Sequence, residues 1–298
     1  MIINAFKNWI IFNRGYSNNT AENYIRTLKM FDKDLKKISL RKRGVEECEK
    51  ITMYDIESFI LKNKSILKKS ARTCNNYIAS IRLFLKFCYV QGRGVLDYKK
   101  VLFGKENRKK IGFLTEEEVE KIMNYLKADK TMDDLTKVRN QCMCSLLLHT
   151  GLRVSELNNL KTTDVEEELQ IIGKGGELRV VYLFNEHLQL LNLYLFLRNG
   201  QRIKSDYLFI SHSNNSKGKR LSRNSIARIV SDIAKKAGIE KDVHPHLLRH
   251  TFATNILRNG GNVYYIQRLL GHKNITTTQL YLDATNVDLI KTQRLAMF

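Results

Sequence analysis

Proline is almost missing from this sequence: Pro245 is the only one in 298 residues. With helix breakers that scarce, and with long stretches of apolar residues at helical spacing, the chain reads as mainly α. Acidic residues are also few. Asp and Glu number 30 against 51 Lys and Arg, for a formal net charge of +21 and a pI near 9.7. That balance suits a polyanionic partner, nucleic acid before an anionic membrane surface. No run of about 18 apolar residues occurs, so no membrane-spanning helix is expected. The opening MIINAFKNWIIFNRGYSNN has neither a basic stretch ahead of an apolar core nor a small-residue cleavage site, so no signal peptide is expected. The five cysteines form no CxxC pair. Buried free thiols in a reducing cytosol are expected, in place of a disulfide framework or a zinc cluster. A GxxxxGKS or GxxxxGKT loop is absent, so no nucleotide-driven chemistry is expected.

What is present divides unevenly. Residues 1–110 carry 25 basic and 10 acidic side chains, whereas residues 111–298 carry 26 and 20. The stretch FGKENRKKIGF is polar and basic, holds two glycines and lacks apolar periodicity until its end. It predicts a linker over 104–112 between a domain at 1–103 and another at 113–298. In the first domain, Asn19 or Thr20 would cap a helix burying Ala21, Tyr24, Ile25, Leu28, Phe31 and Leu35. A later helix opens near Ser70, with Arg72, Asn75, Arg82 and Lys86 on its polar side, either a solvated face or one that meets phosphates. In the second domain, Thr115 and Glu118 form a capping-box pattern. LQIIGKGGELRVVYL reads as a β-hairpin about a Gly-Lys-Gly-Gly turn. Ser222 would cap a helix with Ile226, Ile229, Val230 and Ile233 on one side and Asn224, Arg228 and Lys235 opposite, an ordinary surface helix or one fitted to a DNA groove.

The segment VHPHLLRHTFATNIL places three histidines and an arginine at the start of one helix, with Pro245 in its first turn. His246 and His250 have the i, i+4 spacing of a zinc-protease helix. The residue after the first histidine is Leu247, however, so the general-base glutamate is absent, and no third ligand lies nearby; no metal is expected. His246 and Arg249 share a face, and a guanidinium beside an imidazole suits a phosphate. His250 is assigned to structure. Alone, HxxR is a weak motif. Arg153 alone is a surface arginine, Lys174 a turn lysine, and Tyr281 one of 13 tyrosines.

The joint order is specific. HTGLRVSELNNL holds Arg153, the hairpin turn holds Lys174, HPHLLRHTFAT holds His246 and Arg249, and LLGHKNITTTQLYLD holds His272 and Tyr281. This order resembles the tyrosine recombinase (phage integrase) family, and within it the Xer-type recombinases. The resemblance implies an N-terminal helical core-binding (SAM-like) domain followed by a mostly helical catalytic domain with a small β-hairpin. It implies site-specific cleavage and rejoining of DNA through a 3′-phosphotyrosyl intermediate. Arg153 and Arg249 would clamp the non-bridging phosphate oxygens, Tyr281 would attack, and His246 would take its proton. His272 would hydrogen-bond the phosphate, Lys174 would protonate the leaving 5′-oxygen, and Glu156 would orient Arg153 from behind. No cofactor is implied, because the phosphotyrosine stores the bond energy.

The resemblance also implies double-stranded DNA with paired inverted half-sites as substrate. It further implies a homotetramer on two such sites, with the tail 286–298 docking on a neighbouring protomer through Leu289, Ile290, Gln293 and Met297. A paralogue or a translocase is a possible partner, and a cytoplasmic, nucleoid-associated location follows. Dimer resolution and integration or excision of a mobile element both remain open. Two other readings stand beside this one: a type IB topoisomerase, which shares the chemistry, and a DNA-binding protein without catalysis.

Overall fold

Ser70 leaves an extended conformation, its hydroxyl accepts a hydrogen bond from the Thr73 N–H at 3.2 Å, and a twenty-residue helix follows. The computed structural model describes residues 2–38, 44–106, 112–173, 176 and 178–271. The chain separates into two compact units, Met1–Lys109 and Lys110–Phe298.

Unit 1 is helical: α1 (Ile2–Phe12), α2 (Asn18–Ile38), α3 (Met53–Leu61) and α4 (Ala71–Val90). Helix α2 starts one or two residues before the expected caps. The Ser17 hydroxyl, and not Asn19 or Thr20, receives an N–H of the first turn, that of Thr20 at 3.3 Å. Its buried face is the expected one except at Tyr24, which is half-buried; Ala21, Ile25, Leu28, Phe31 and Leu35 are in the core. Phe31 meets Phe59 of α3 edge-on at 5.2 Å, and Phe6 of α1 meets Phe84 of α4 at 5.5 Å. The polar side of α4 is partly occupied. Arg82 donates to the Val101 carbonyl at 2.7 Å and lies over the Phe103 ring. Lys86 lies over the Tyr98 ring. Asn75 pairs with both backbone groups of Gly104, at 2.8 and 2.9 Å. Val101, Phe103 and Gly104 are thereby held to α4. Arg72 is exposed.

Unit 2 contains α5 (Glu116–Ala128), α6 (Asp134–Thr150), the short α7 (Val154–Leu157), strands β1 (Glu168–Ile172) and β2 (Leu178–Tyr182), and α8 (Asn185–Gly200), α9 (Arg223–Lys236), α10 (Pro245–Arg258) and α11 (Val263–Leu270). The Thr115–Glu118 capping box is present in both directions, at 2.8 and 3.3 Å. Ser222 caps α9 through the Ser225 N–H at 3.0 Å. The strands pair antiparallel with Leu169 opposite Val181 and Ile171 opposite Arg179, the hairpin expected about the glycine-rich turn. Helix α6 is buried on nearly every side, Cys142 and Cys144 included. Met143, Leu146 and Leu147 join Leu152, Leu157, Tyr194 and Phe209 in one core. Thr251, fully buried in α10, accepts from the Leu114 N–H at 2.9 Å and donates to the Leu247 carbonyl, tying the entry of the unit to α10. All five cysteines are buried free thiols. Among the described residues no helix is long and apolar enough to cross a membrane.

Candidate active site

The site is built on the ends of three helices. Helix α6 stops at Gly151, which has φ +63°. A Cβ there would also stand 2.5 Å from Phe252 Cδ1 and 2.8 Å from Leu270 Cδ2. Left-handed backbone and lack of room both demand glycine. Gly151→Ala is therefore expected to cost about 1–3 kcal/mol of folding free energy, read from chemical unfolding of the full chain; an unchanged midpoint would refute this account of the turn.

Two residues on, the Arg153 N–H caps the carboxylate of Glu156 at 2.7 Å, and the Arg153 guanidinium returns to the same carboxylate at 2.9 Å. Its other terminal nitrogen donates to the Gly271 carbonyl at 3.0 Å. Arg249, on the first turns of α10, is 4 % exposed. It donates to the Gly151 carbonyl and to the Leu270 carbonyl, each at 2.5 Å. Arg179 of β2 donates from Nε to the Leu269 carbonyl at 2.8 Å and grips Glu156 with both terminal nitrogens at 2.9 and 2.6 Å.

Three guanidinium groups thus end on three successive carbonyls, Leu269, Leu270 and Gly271. A helix C-terminus leaves such oxygens without intrahelical donors and carries partial negative charge, so it attracts cations. Burial, the largest influence on Glu156, raises its pKa. The hydrogen bonds from Arg179 and Arg153 and the charge of Arg179 outweigh this and leave it below the ordinary carboxylate range.

Helix α10 is capped by His244, whose Nδ1 accepts from the Leu247 N–H at 3.2 Å, and Pro245 takes the first helical position. His246 stands at the exposed rim. Partial burial of its ring first, then electrostatic repulsion from the side chains of His244, Arg249 and Arg153, lower its pKa and favour the neutral, proton-accepting form. Burial, and then His246, Arg249 and His244, take His250 down to about 4. Burial and Arg139 do the same to His212 of unit 2, also to about 4. Both folded values lie below the ordinary histidine value, so the unfolded chain binds more protons between the two. Stability should therefore fall as pH drops from about 6.5 toward 4, and unfolding midpoints followed across that window should decline. Flat midpoints would contradict the shifts.

The structure therefore brings Arg153, Glu156, Arg249 and His246 to one place. Lys174, His272, Tyr281 and the tail 286–298 lie outside the described residues; in the chain, Lys174 comes between β1 and β2, and His272 follows Gly271. Asn224, Arg228 and Lys235 are exposed on α9, Arg228 facing Asp232 at 3.7 Å. Among the described residues no group of three or more His, Cys, Asp or Glu side chains could hold a metal ion. Arg179 was visible in the sequence only as a further cation after the turn. Its pairing with Glu156 and Leu269 is a long-range contact that no local pattern announces.

The model of the phage integrase family matches residues 112–287. The chain belongs to the phage integrase family. The family's N-terminal SAM-like domain matches residues 3–92. Tyrosine recombinase XerD of Listeria monocytogenes (serotype 4b, strain F2365) is 33% identical over 295 residues, spanning 97% of this chain and 95% of the relative. A tyrosine recombinase of Thermosipho africanus is 32% identical over 304 residues, spanning 97% and 98%. Among solved structures, a post-cleavage complex of the XerH recombinase with palindromic difH substrate aligns with a TM-score of 0.73 at 22% identity, over 98% of this chain and 94% of that one; at that identity it shows the shared fold. The phage integrase relationship makes this chain a tyrosine-type, Xer-like recombinase, an enzyme of DNA strand cleavage and rejoining. The fold is the one the sequence resemblance implied, a helical N-terminal domain and a mostly helical catalytic domain with one hairpin. The topoisomerase reading finds no support among these relatives.

Proposed function

We propose that the chain performs site-specific recombination through a 3′-phosphotyrosyl intermediate. The Tyr281 hydroxyl oxygen attacks the scissile phosphorus and the bond from phosphorus to the 5′-oxygen breaks. His246 takes the tyrosine proton, and Lys174 supplies one to the departing 5′-oxygen. Arg153 and Arg249 hold the non-bridging oxygens as charge builds on them, His272 hydrogen-bonds the same phosphate, and Glu156 holds Arg153. Attack by the freed 5′-hydroxyl of a partner strand reverses each step, so no external energy source is needed.

The observation that carries this reading is the convergence of Arg153 and Arg249 beside His246, two cations and a proton acceptor with a lowered pKa. Exposed Arg72, Asn224, Arg228 and Lys235 are proposed DNA contacts. Arg82 and Lys86 are proposed as well, although each also holds the 98–104 segment. The substrate is double-stranded DNA with paired inverted half-sites, bound by a homotetramer whose tails 286–298 dock between protomers, on the nucleoid in the cytoplasm. Residues 104–112 are proposed to link a DNA-binding domain, 1–103, to the catalytic one, 113–298. Resolution of replicon dimers and integration or excision of a mobile element are the two uses proposed, with a paralogue or translocase as a further partner.

The test incubates the full chain with nicked genomic fragments, denatures with detergent, isolates DNA bound covalently to protein, and maps the linked peptide. A DNA 3′-end on the peptide containing Tyr281 is the expected result. A link through any other residue, or no link on any DNA, overturns the reading.

A further inference from the structure

We infer that Arg179, which is outside the set of reacting groups, is a positioning residue for the phosphate site: it fixes the Glu156 carboxylate and the end of α11 together, and so sets where Arg153 and Arg249 present their donors. The inference rests on the reading above.

The side chain of Arg179 is buried, as Arg249 is, and it grips the Glu156 carboxylate. Its side chain is 8 % exposed, and Nε and both terminal nitrogens are engaged, one on Leu269 and two on Glu156. Its aliphatic stem also underlies Gly271, where a Cβ would come within 3.2 Å of Arg179 Cδ. Arg153 differs. Its side chain is 28 % exposed and shares Glu156 as the lesser partner, with one guanidinium nitrogen on Oε1.

Glu156 is 6 % exposed and cannot reorient into solvent. Arg179 grips both of its oxygens in a planar fork, which fixes the plane of the carboxylate. The direction in which that carboxylate meets Arg153 is therefore set by Arg179. The same guanidinium reaches Leu269, one residue before the carbonyl that receives Arg249 and two before the carbonyl that receives Arg153. Arg179 thus joins the carboxylate behind Arg153 to the helix end on which both arginines lean, by a second route beside that of Arg153 itself. Lysine, a point charge on a flexible stem, can hold one of these partners at a time.

The experiment uses full-length Arg179→Ala and Arg179→Lys, each in the wild-type and Glu156→Gln backgrounds. The probe is a nicked duplex made from DNA ends that the wild-type chain captures. Three quantities are read: the single-turnover rate of adduct formation at saturating protein, the affinity for the duplex, and the thermal unfolding midpoint. The expected result is a rate about 100-fold lower, the scale of an ångström misplacement of a reacting group, with affinity close to wild type and no recovery by lysine. In the Glu156→Gln background the further loss should be small, because one contact network is removed twice. Should Arg179→Ala fail to fold, Arg179→Lys decides by the same readouts. A wild-type rate in either folded variant, a full multiplicative loss in the Glu156→Gln background, or an affinity loss as large as the rate loss overturns the inference. A wild-type chain that forms no adduct on any DNA defeats the recombinase mechanism itself. A wild-type adduct with unimpaired variants defeats only the role of Arg179.

Discussion

Tyr281→Phe should remove the covalent DNA adduct entirely while leaving DNA binding intact. The substitution deletes one oxygen, the atom proposed to bond to phosphorus, and leaves the ring itself in the side chain. Arg153, Arg249 and Arg179 are held by Glu156 and by backbone carbonyls, and the excess basic charge that favours phosphate contact is unchanged. The measurement is paired: detergent-resistant DNA–protein complex on nicked fragments, and equilibrium binding to the same fragments. An adduct of equal yield in the mutant would remove Tyr281 from the mechanism. Lost binding together with a lost adduct would mean that the hydroxyl serves structure or recognition instead of chemistry.

Arg249→Ala should lower the rate of adduct formation by about 10²–10³-fold, the usual cost of removing one donor aimed at developing negative charge. It should also lower folding stability by about 2 kcal/mol, because two buried carbonyls, those of Gly151 and Leu270, lose charged donors. The two effects are separable. Arg249→Lys keeps the charge but cannot serve both carbonyls, so it should recover part of the stability and little of the rate. Single-turnover kinetics and denaturant unfolding read them independently. If alanine leaves the rate unchanged, Arg249 is a structural brace and the phosphate clamp must lie elsewhere.

The sequence carried local information well. Ser70, Ser222, the Thr115–Glu118 pair and Pro245 each mark a helix start by a bond within three residues or by a fixed φ, and each stands where expected. The hairpin was legible for the same reason, since its strands are joined by a short glycine-rich turn. Polar neighbours competed where the sequence misled. Ser17 takes the capping role expected of Asn19 or Thr20. The polar stripe of α4 was ambiguous because its partners, Val101, Phe103 and Gly104, come nineteen or more residues after the side chains they meet. At the site the separations grow further. Arg153 meets Gly271 across 118 residues and Arg179 meets Leu269 across 90. Residue type and order named the arginines; only the fold could say what they lean on.

The acceptors at the end of α11 are all main-chain oxygens. Mutational drift at Leu269 or Leu270 can change the side chains without deleting one of the three contacts, because every residue type carries a carbonyl. Insertions and deletions are another matter. One residue added within α11 turns its terminus by about 100° and carries all three oxygens away from their arginines at once. Away from buried Ile266 and Leu270 and from Gly271, this helix should therefore accept substitution readily and changes of length hardly at all, a pattern that a library of point variants and single-residue insertions across 263–271 would display directly.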